Sequence, residues 1–308
     1  MRIVITGGTG LIGNALASDF AKNGYEVYVL SRSPAARKHL QNGIECLQYD
    51  GHTAAGWGYL VEGADAVINL AGENLSAGRW TEKRKHAILQ SRLDAGRAVA
   101  QAIEQAKQKP PVLIQASAVG CYGINPPGVV DETSPFGNDF LSGVCRQWEE
   151  STKAVEIMGV RRVIIRMGVV FSGRGGAFPR LILPFKLFAG GALGNGEQWL
   201  SWVHLQDVVR AIRFLIEQPA TTGVFNVSAE PVTNREFAQI AGRVMHRPSF
   251  FKVPAFAIKM LFGEMSTVIL DGQRVSSAKL RNLGFSFAHP GIENALQDLV
   301  RKQNNDGH

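Results

Sequence analysis

The feature that most constrains this chain is a glycine loop set between an apolar strand and an amphipathic helix at its start. Arg2–Thr6 (RIVIT) reads as a buried strand and Leu11–Lys22 as a helix, and the residues between them and into the helix run Thr-Gly-Gly-Thr-Gly-Leu-Ile-Gly. Gly8, Gly10 and Gly13 make a GxGxxG, and Gly7, Gly10 and Gly13 a GxxGxxG. By itself such a motif says little. After a strand and opening a helix it is a dinucleotide fingerprint: one glycine allows a tight turn, one lets backbone approach a pyrophosphate, and one lets helix pack close to strand. The helix N-terminus then offers unpaired N–H groups and a partial positive charge to phosphate. Thr6, Gly7, Gly10, Leu11, Ile12 and Gly13 are therefore the expected cofactor-binding residues of this loop.

The end of the second strand selects the cofactor. A site preferring NAD places a carboxylate there for the ribose 2′-hydroxyl. Here Glu26–Ser31 (EVYVLS) runs into Arg32 and Ser33 with no acid. Arg32 suits a 2′-phosphate and Ser31 can donate a hydrogen bond, so the expected cofactor is NADP(H).

Further along, short apolar runs alternate with helical patterns: strands at Glu45–Tyr49, Ala66–Leu70, Val112–Ser117 and Arg162–Met167, helices at Thr81–Ala106 (Thr81 as N-cap) and Phe140–Ile157. Strands separated by helices of this length give parallel βαβ units, and uniformly apolar strands belong in a sheet covered on both faces. Ser201–His204 and Val224–Val227 read as strands, with a helix from Asp207 to Glu217 between them and Asp207 as its cap. The expected fold is a Rossmann-like, doubly wound α/β domain over residues 1–171, with a smaller, mainly helical lobe over 172–308 whose chain re-enters the main sheet near 202–228.

Composition narrows the partners. Of 308 residues, 45% are hydrophobic and 19% charged, which supports a large core, and the net charge of +7 comes from scattered basic residues. That scatter argues against a nucleic-acid stripe. No apolar run approaches the length of a membrane span. Cys46, Cys121 and Cys145 form no CxxC pair and no Cys/His ligand spacing, so no metal is expected. With no export signal at the first residues, a cytoplasmic location with reduced thiols is expected.

Beyond these readings, the sequence resembles the extended short-chain dehydrogenases/reductases, the NAD-dependent epimerase/dehydratase-like group. The resemblance is carried by ITGGTGLIG at 5–13, VINLAGE at 67–73, ASAVGCYG at 116–123, IIRMGVVFS at 164–172 and WVHLQDVV at 202–209. It is narrower still to an atypical branch described as epimerases or cell-division inhibitors, with its own C-terminal domain. Shared with that branch are GRW at 78–80, SRLDAG at 91–96, WEE at 148–150, VPAFAIKMLFGEMS from residue 253 and DGQR at 271–274. The resemblance implies that Leu70, Ala71 and Gly72 end a strand beside the cofactor ribose, that Ser117 falls at or next to the catalytic serine, and that the protein pairs as a homodimer through the helices at 81–106 and 140–157.

The wider family works through a Tyr-x-x-x-Lys pair one helical turn apart, the lysine lowering the tyrosine's pKa and the tyrosine passing the proton. None of the five tyrosines has a lysine four residues on, and the expected positions hold Leu141 and Cys145. Ser117, Tyr122 and Cys145 remain as candidate catalytic residues, and Glu73, just past the fourth strand, as a candidate base. Glu73, Arg79, Trp80, Arg92 and Trp202 are the candidate substrate residues, the arginines suiting an acidic or phosphorylated molecule. Two functions stand: an NADP(H)-dependent oxidoreductase or epimerase of a small polar, sugar-like or phosphorylated substrate working without the usual pair, or a catalytically silent NADP(H)-binding regulator or redox sensor acting through a protein partner.

Overall fold

The structure, a computed structural model, describes residues 1–33, 40 and 43–305. The chain runs β1 (Arg2–Thr6), α1 (Leu11–Lys22), β2 (Glu26–Ser31), β3 (Ile44–Gln48), β4 (Ala66–Asn69), α2 (Glu82–Gln105), β5 (Val112–Ala118), α3 (Phe140–Glu150), β6 (Arg161–Met167), β7 (Val169–Ser172), β8 (Trp202–His204), α4 (Leu205–Glu217), β9 (Gly223–Val227), α5 (Ala255–Phe262) and α6 (Ile292–Asn305), with further elements between, among them the helices Phe178–Lys186 and Asn234–Met245. Seven of these strands form one parallel sheet in the order β9-β6-β5-β4-β1-β2-β3. The strand order reverses between β1 and β4, and a crevice at that switch point is where open α/β sheets take ligands.

Both faces of the sheet are covered, which is why its strands are apolar on successive residues. On one face, Leu16 and Phe20 of α1 and Val208, Ile212 and Leu215 of α4 pack on Ile3, Ile5 and Ile68. On the other, Ala98, Val99 and Ala102 of α2 pack on Val4, Val67 and Leu113. A separate core in the later part of the chain gathers Phe171, Phe178, Trp202 and Phe237 with Leu296 and Leu299 of α6.

The helix expected over 140–157 is two pieces, α3 and a short turn of helix at Ala154–Ile157. Ser151 explains the break: its Oγ donates to the Trp148 carbonyl at 2.7 Å, a local bond that competes with continuing the helix. Thr81 caps α2 as expected, accepting from the Arg84 N–H. Asp207 does not cap α4. The helix starts two residues earlier, at Leu205, and His204 Nδ1 accepts from the Gln206 N–H in the cap's place. The fully buried Asp207 carboxylate instead accepts the N–H groups of Ala288 and His289 and an N–H of Arg210.

Candidate active site

The glycine loop is built to let something close to its backbone. Gly7 has φ +69°, and a Cβ there would meet the backbone of Leu70 and Ala71 at 2.9 Å. A Cβ on Gly13 would lie 2.5 Å from the Gly7 carbonyl oxygen and Gly8 Cα. The N-terminus of α1 has Gly10 as its cap, no side-chain cap bond and no acid in its first turn. Its donors are left for an anion. Leu11 and Ile12 are half-buried at this end, and Leu70, Ala71 and Gly72 line the facing loop beyond β4.

Beneath the loop, the strand ends are tied by a buried polar chain. Thr6 Oγ1 donates to Asn69 Oδ1 at 2.6 Å, Asn69 Nδ2 to Gln115 Oε1 at 2.9 Å, and Gln115 Nε2 to the Ala116 carbonyl at 2.8 Å. Thr6 thus spends its hydroxyl on holding β1 against β4. Asn69 and Gln115 are polar residues inside apolar strands, which is their one mark in the sequence.

At the rim, Ser31 Oγ lies 3.2 Å from Thr9 Oγ1 and binds the Ser33 backbone, while Arg32 extends into solvent with its side chain 62% exposed. Arg32 donates to Glu73 Oε1 at 3.0 Å, and Arg84 donates to Glu73 Oε2 at 3.1 Å. These arginines, Arg32 foremost, hold the Glu73 carboxyl below its usual pKa. Arg92 is buried, with its guanidinium 4.9 Å from the centre of the Trp148 ring and bonded to the carbonyls of Ile88 and Glu73.

The other candidate substrate residues are placed differently. Trp202 is fully buried, stacked on Phe171 at 5.6 Å, with its indole N–H on the Glu230 carbonyl. Trp80 is buried edge-on to Phe140, its N–H on the Leu75 carbonyl. Arg79 bonds the carbonyls of Met260 and Leu261 near the end of α5, tying the loop beyond β4 to the later part of the chain.

Ser117 and Tyr122 meet in a buried network with Glu149, Arg166 and Asn226. Ser117 Oγ donates to Glu149 Oε1 at 2.6 Å; Arg166 grips the same carboxylate with two bonds of 2.9 Å; Arg166 also donates to the Tyr122 hydroxyl at 3.2 Å, which donates to Asn226 Oδ1 at 2.7 Å. Burial pushes the Tyr122 phenol above its ordinary pKa. Cys145 lies beside this network, its Sγ 3.7 Å from the Ala118 carbonyl, and burial pushes its thiol up to about 11. Leu141, Cys145 and Glu149 fall at i, i+4 and i+8 of α3, one stripe of the helix. That spacing was the available signal for Glu149: the stripe that carries the family's pair carries a carboxylate one turn further on.

Two features lie away from the glycine loop. His204, His289 and Asp298 bring one ligand atom each within 4.8 Å of one another. Because His204 Nδ1 accepts a backbone N–H, its neutral ring carries the proton on Nε2, which lies 3.3 Å from Asp298 Oδ2 without forming a hydrogen bond, rather than a lone pair for a cation. The second feature is a cleft of about 520 Å³ lined by Asn125, Glu197, Gln198, Trp199, Lys259 and Asp271. Its wall at Asn125 follows directly on the Tyr122 turn leaving β5, and Gln273 bonds the Gly123 carbonyl there. Gln198 Oε1 is buried at this cleft without a hydrogen-bond partner. Among the described residues no helix is long and apolar enough to cross a membrane.

Comparison with known proteins agrees with this geometry. The model of the NAD dependent epimerase/dehydratase family matches residues 3–228, and that of a domain of unknown function (DUF1731) matches residues 253–299. The Epimerase family protein YfhF of Bacillus subtilis is 42% identical over 302 residues, covering 97% of this chain and 98% of that protein. The crystal structure of human epimerase family protein SDR39U1 (isoform 2) with NADPH superposes with a TM-score of 0.87 at 32% identity, over 98% of this chain and 99% of that one. Thermus thermophilus UDP-glucose 4-epimerase in complex with NAD, at 18% identity and TM-score 0.79, shares the fold. The chain therefore belongs to the NAD-dependent epimerase/dehydratase family, in the atypical extended short-chain dehydrogenase/reductase branch that carries a C-terminal domain of its own.

Proposed function

We propose that this protein binds NADP(H) on residues 1–171 and acts as an oxidoreductase or epimerase on a small polar, sugar-like or phosphorylated substrate held in the cleft that Asn125 shares with residues 194–272. The observation that carries the reading is the glycine loop joined to an uncapped helix N-terminus, with Arg32 and no acid beyond β2. The cradle fits the group: the backbone around Gly7 and Gly13 leaves no room for side chains, and α1 directs its unpaired donors outward. The NADPH in the human relative's structure supports the same choice. Bound NADP(H) would supply a hydride donor or acceptor.

The protein's own part is to bind, orient and exclude water. Gly7, Gly10 and Gly13 with the first turn of α1 take the pyrophosphate, Arg32 and Ser31 the 2′-phosphate, and the Leu70–Gly72 loop the ribose. The 520 Å³ cleft, with its amide, carboxylate and indole lining and the unpartnered Gln198 Oε1, suits a polyhydroxylated molecule. The proton route runs without a tyrosine–lysine pair. Among the sequence candidates, Ser117 and Tyr122 act through their bonds to Glu149, Arg166 and Asn226, and Cys145 stays a neutral thiol near neutral pH.

The test is fluorescence titration of NADPH and NADH against the wild type and Arg32→Ala. NADPH is expected to bind at least about tenfold tighter than NADH, and Arg32→Ala to lose that advantage, since a charge-assisted bond contributes about 1.5–3 kcal/mol. Equal affinities in the wild type would overturn the cofactor assignment. Leu141 and Cys145, at the positions of the family's pair, favour a second reading, a cofactor-holding regulator without turnover. It predicts tight NADPH binding and no oxidation of NADPH with any carbonyl or sugar-phosphate substrate.

A further inference from the structure

The ion pair between Arg32 and Glu73 joins the segments that follow two strands on either side of the glycine loop's strand. Arg32 follows β2 and Glu73 follows β4, and β1 lies between those strands in the sheet. The bond therefore passes over the C-terminal end of β1, where the glycine loop begins. Glu73 is fixed from behind: its N–H donates to Ser91 Oγ at 3.0 Å and its carbonyl accepts from Arg92 at 3.2 Å. Its second oxygen is held by Arg84, which also bonds the Asn74 carbonyl. Arg32, by contrast, is mostly exposed and stands at the outer edge of the clasp.

We infer that Glu73 is a specificity-determining residue: an internal counter-anion that occupies Arg32 and yields it only to a ligand bringing a phosphomonoester. The inference rests on the NADP(H) reading above. A 2′-phosphate carries more charge and more acceptors than one carboxylate oxygen and takes the guanidinium. A 2′-hydroxyl brings no charge, so with NADH the arginine stays on Glu73. Release leaves no orphaned carboxylate, because Glu73 keeps Arg84. The acid that an NAD site places after β2 is here supplied from beyond β4, turned toward the arginine.

The experiment compares NADPH and NADH dissociation constants of the wild type, Glu73→Gln, Arg32→Ala and the double variant. An ion pair at this exposure opposes ligand by a modest factor, so Glu73→Gln is expected to tighten NADPH roughly two- to fivefold and to leave NADH within error. The effect should vanish in the Arg32→Ala background, which a general change in folding or surface charge would not produce. Arg84→Ala should act oppositely and weaken NADPH, since Glu73 then has Arg32 as its sole guanidinium. Wild type that prefers NADPH together with a Glu73→Gln variant of unchanged or weaker NADPH affinity overturns the clasp and leaves the cofactor assignment standing. Wild type that binds neither dinucleotide overturns both.

Discussion

Replacing Glu149 by glutamine removes one charge from the centre of the molecule and should destabilise it severely. Its partner Arg166 is 4% exposed in its side chain and Glu149 9%, and both carboxylate oxygens are engaged. Burial draws the Arg166 guanidinium down, but its bonds to Glu149 outweigh that and hold it above its ordinary pKa, so it stays charged. Glutamine keeps one acceptor oxygen but sets an N–H group against an arginine N–H and leaves the cation uncompensated. Breaking a buried pair in this way costs about 3–5 kcal/mol, against a total stability of about 5–15 kcal/mol for a folded domain. Urea unfolding followed by tryptophan fluorescence should show the midpoint falling with little change in slope, and melting should drop by roughly 6–10 °C. The neighbouring Glu150 is an internal control: its pair with Lys153 is 67% and 60% exposed, and Glu150→Gln should cost less than about 0.5 kcal/mol. Replacing Glu149 and Arg166 together by methionine should recover much of the loss, because no charge is then stranded. A loss below about 1 kcal/mol for Glu149→Gln would refute the view that Ser117, Glu149, Arg166 and Tyr122 form a buried structural unit.

Two further outcomes follow from the same burial. Iodoacetamide at pH 8 should spare Cys121 and Cys145 in the native protein, both thiols being buried and pushed up in pKa, and should reach the half-buried Cys46 first; rapid alkylation of Cys145 would mean an activated thiol. Burial, and next the facing His289, lower His204 to about 4, against the opposing pull of Asp298 and Asp207. Its folded pKa thus lies below its unfolded one, so the neutral ring's contribution is present above about pH 6.5 and is lost as pH falls toward 4, up to about 3 kcal/mol. His204→Gln should flatten the stability profile across that window, and an unchanged slope would count against it.

The sheet was legible because its strands are apolar on successive residues and its helices carry a 3.6-residue period: β1, β2 and α1 fall where the sequence puts them, and β3 to β6 within a residue or so. The glycine loop was legible because its chemistry is local. What escaped was held by partners far along the chain. Asp207 looked like a cap because caps are local, but its carboxylate is taken by backbone more than eighty residues later. Trp202, a candidate substrate residue, has its indole N–H on the Glu230 carbonyl, 28 residues on. Tyr122 and Asn226 are joined across 104 positions, a bond no pattern of spacing announces.

The strand order has one more consequence. β9 comes from residues 223–227, after the chain has already made much of its later portion, and it pairs along β6 from Val163 to Met167. A chain cut at residue 171 would keep six strands but lose the seventh, and with it α4 from the face of the sheet. β6 would then present a row of unpaired backbone groups and an uncovered apolar surface, the template on which chains stack into aggregates. The two portions are thus woven rather than strung together. A cut at residue 171, the boundary expected from the sequence, would therefore divide the main sheet, and a fragment meant to keep that sheet whole has to carry 202–228 with the first portion.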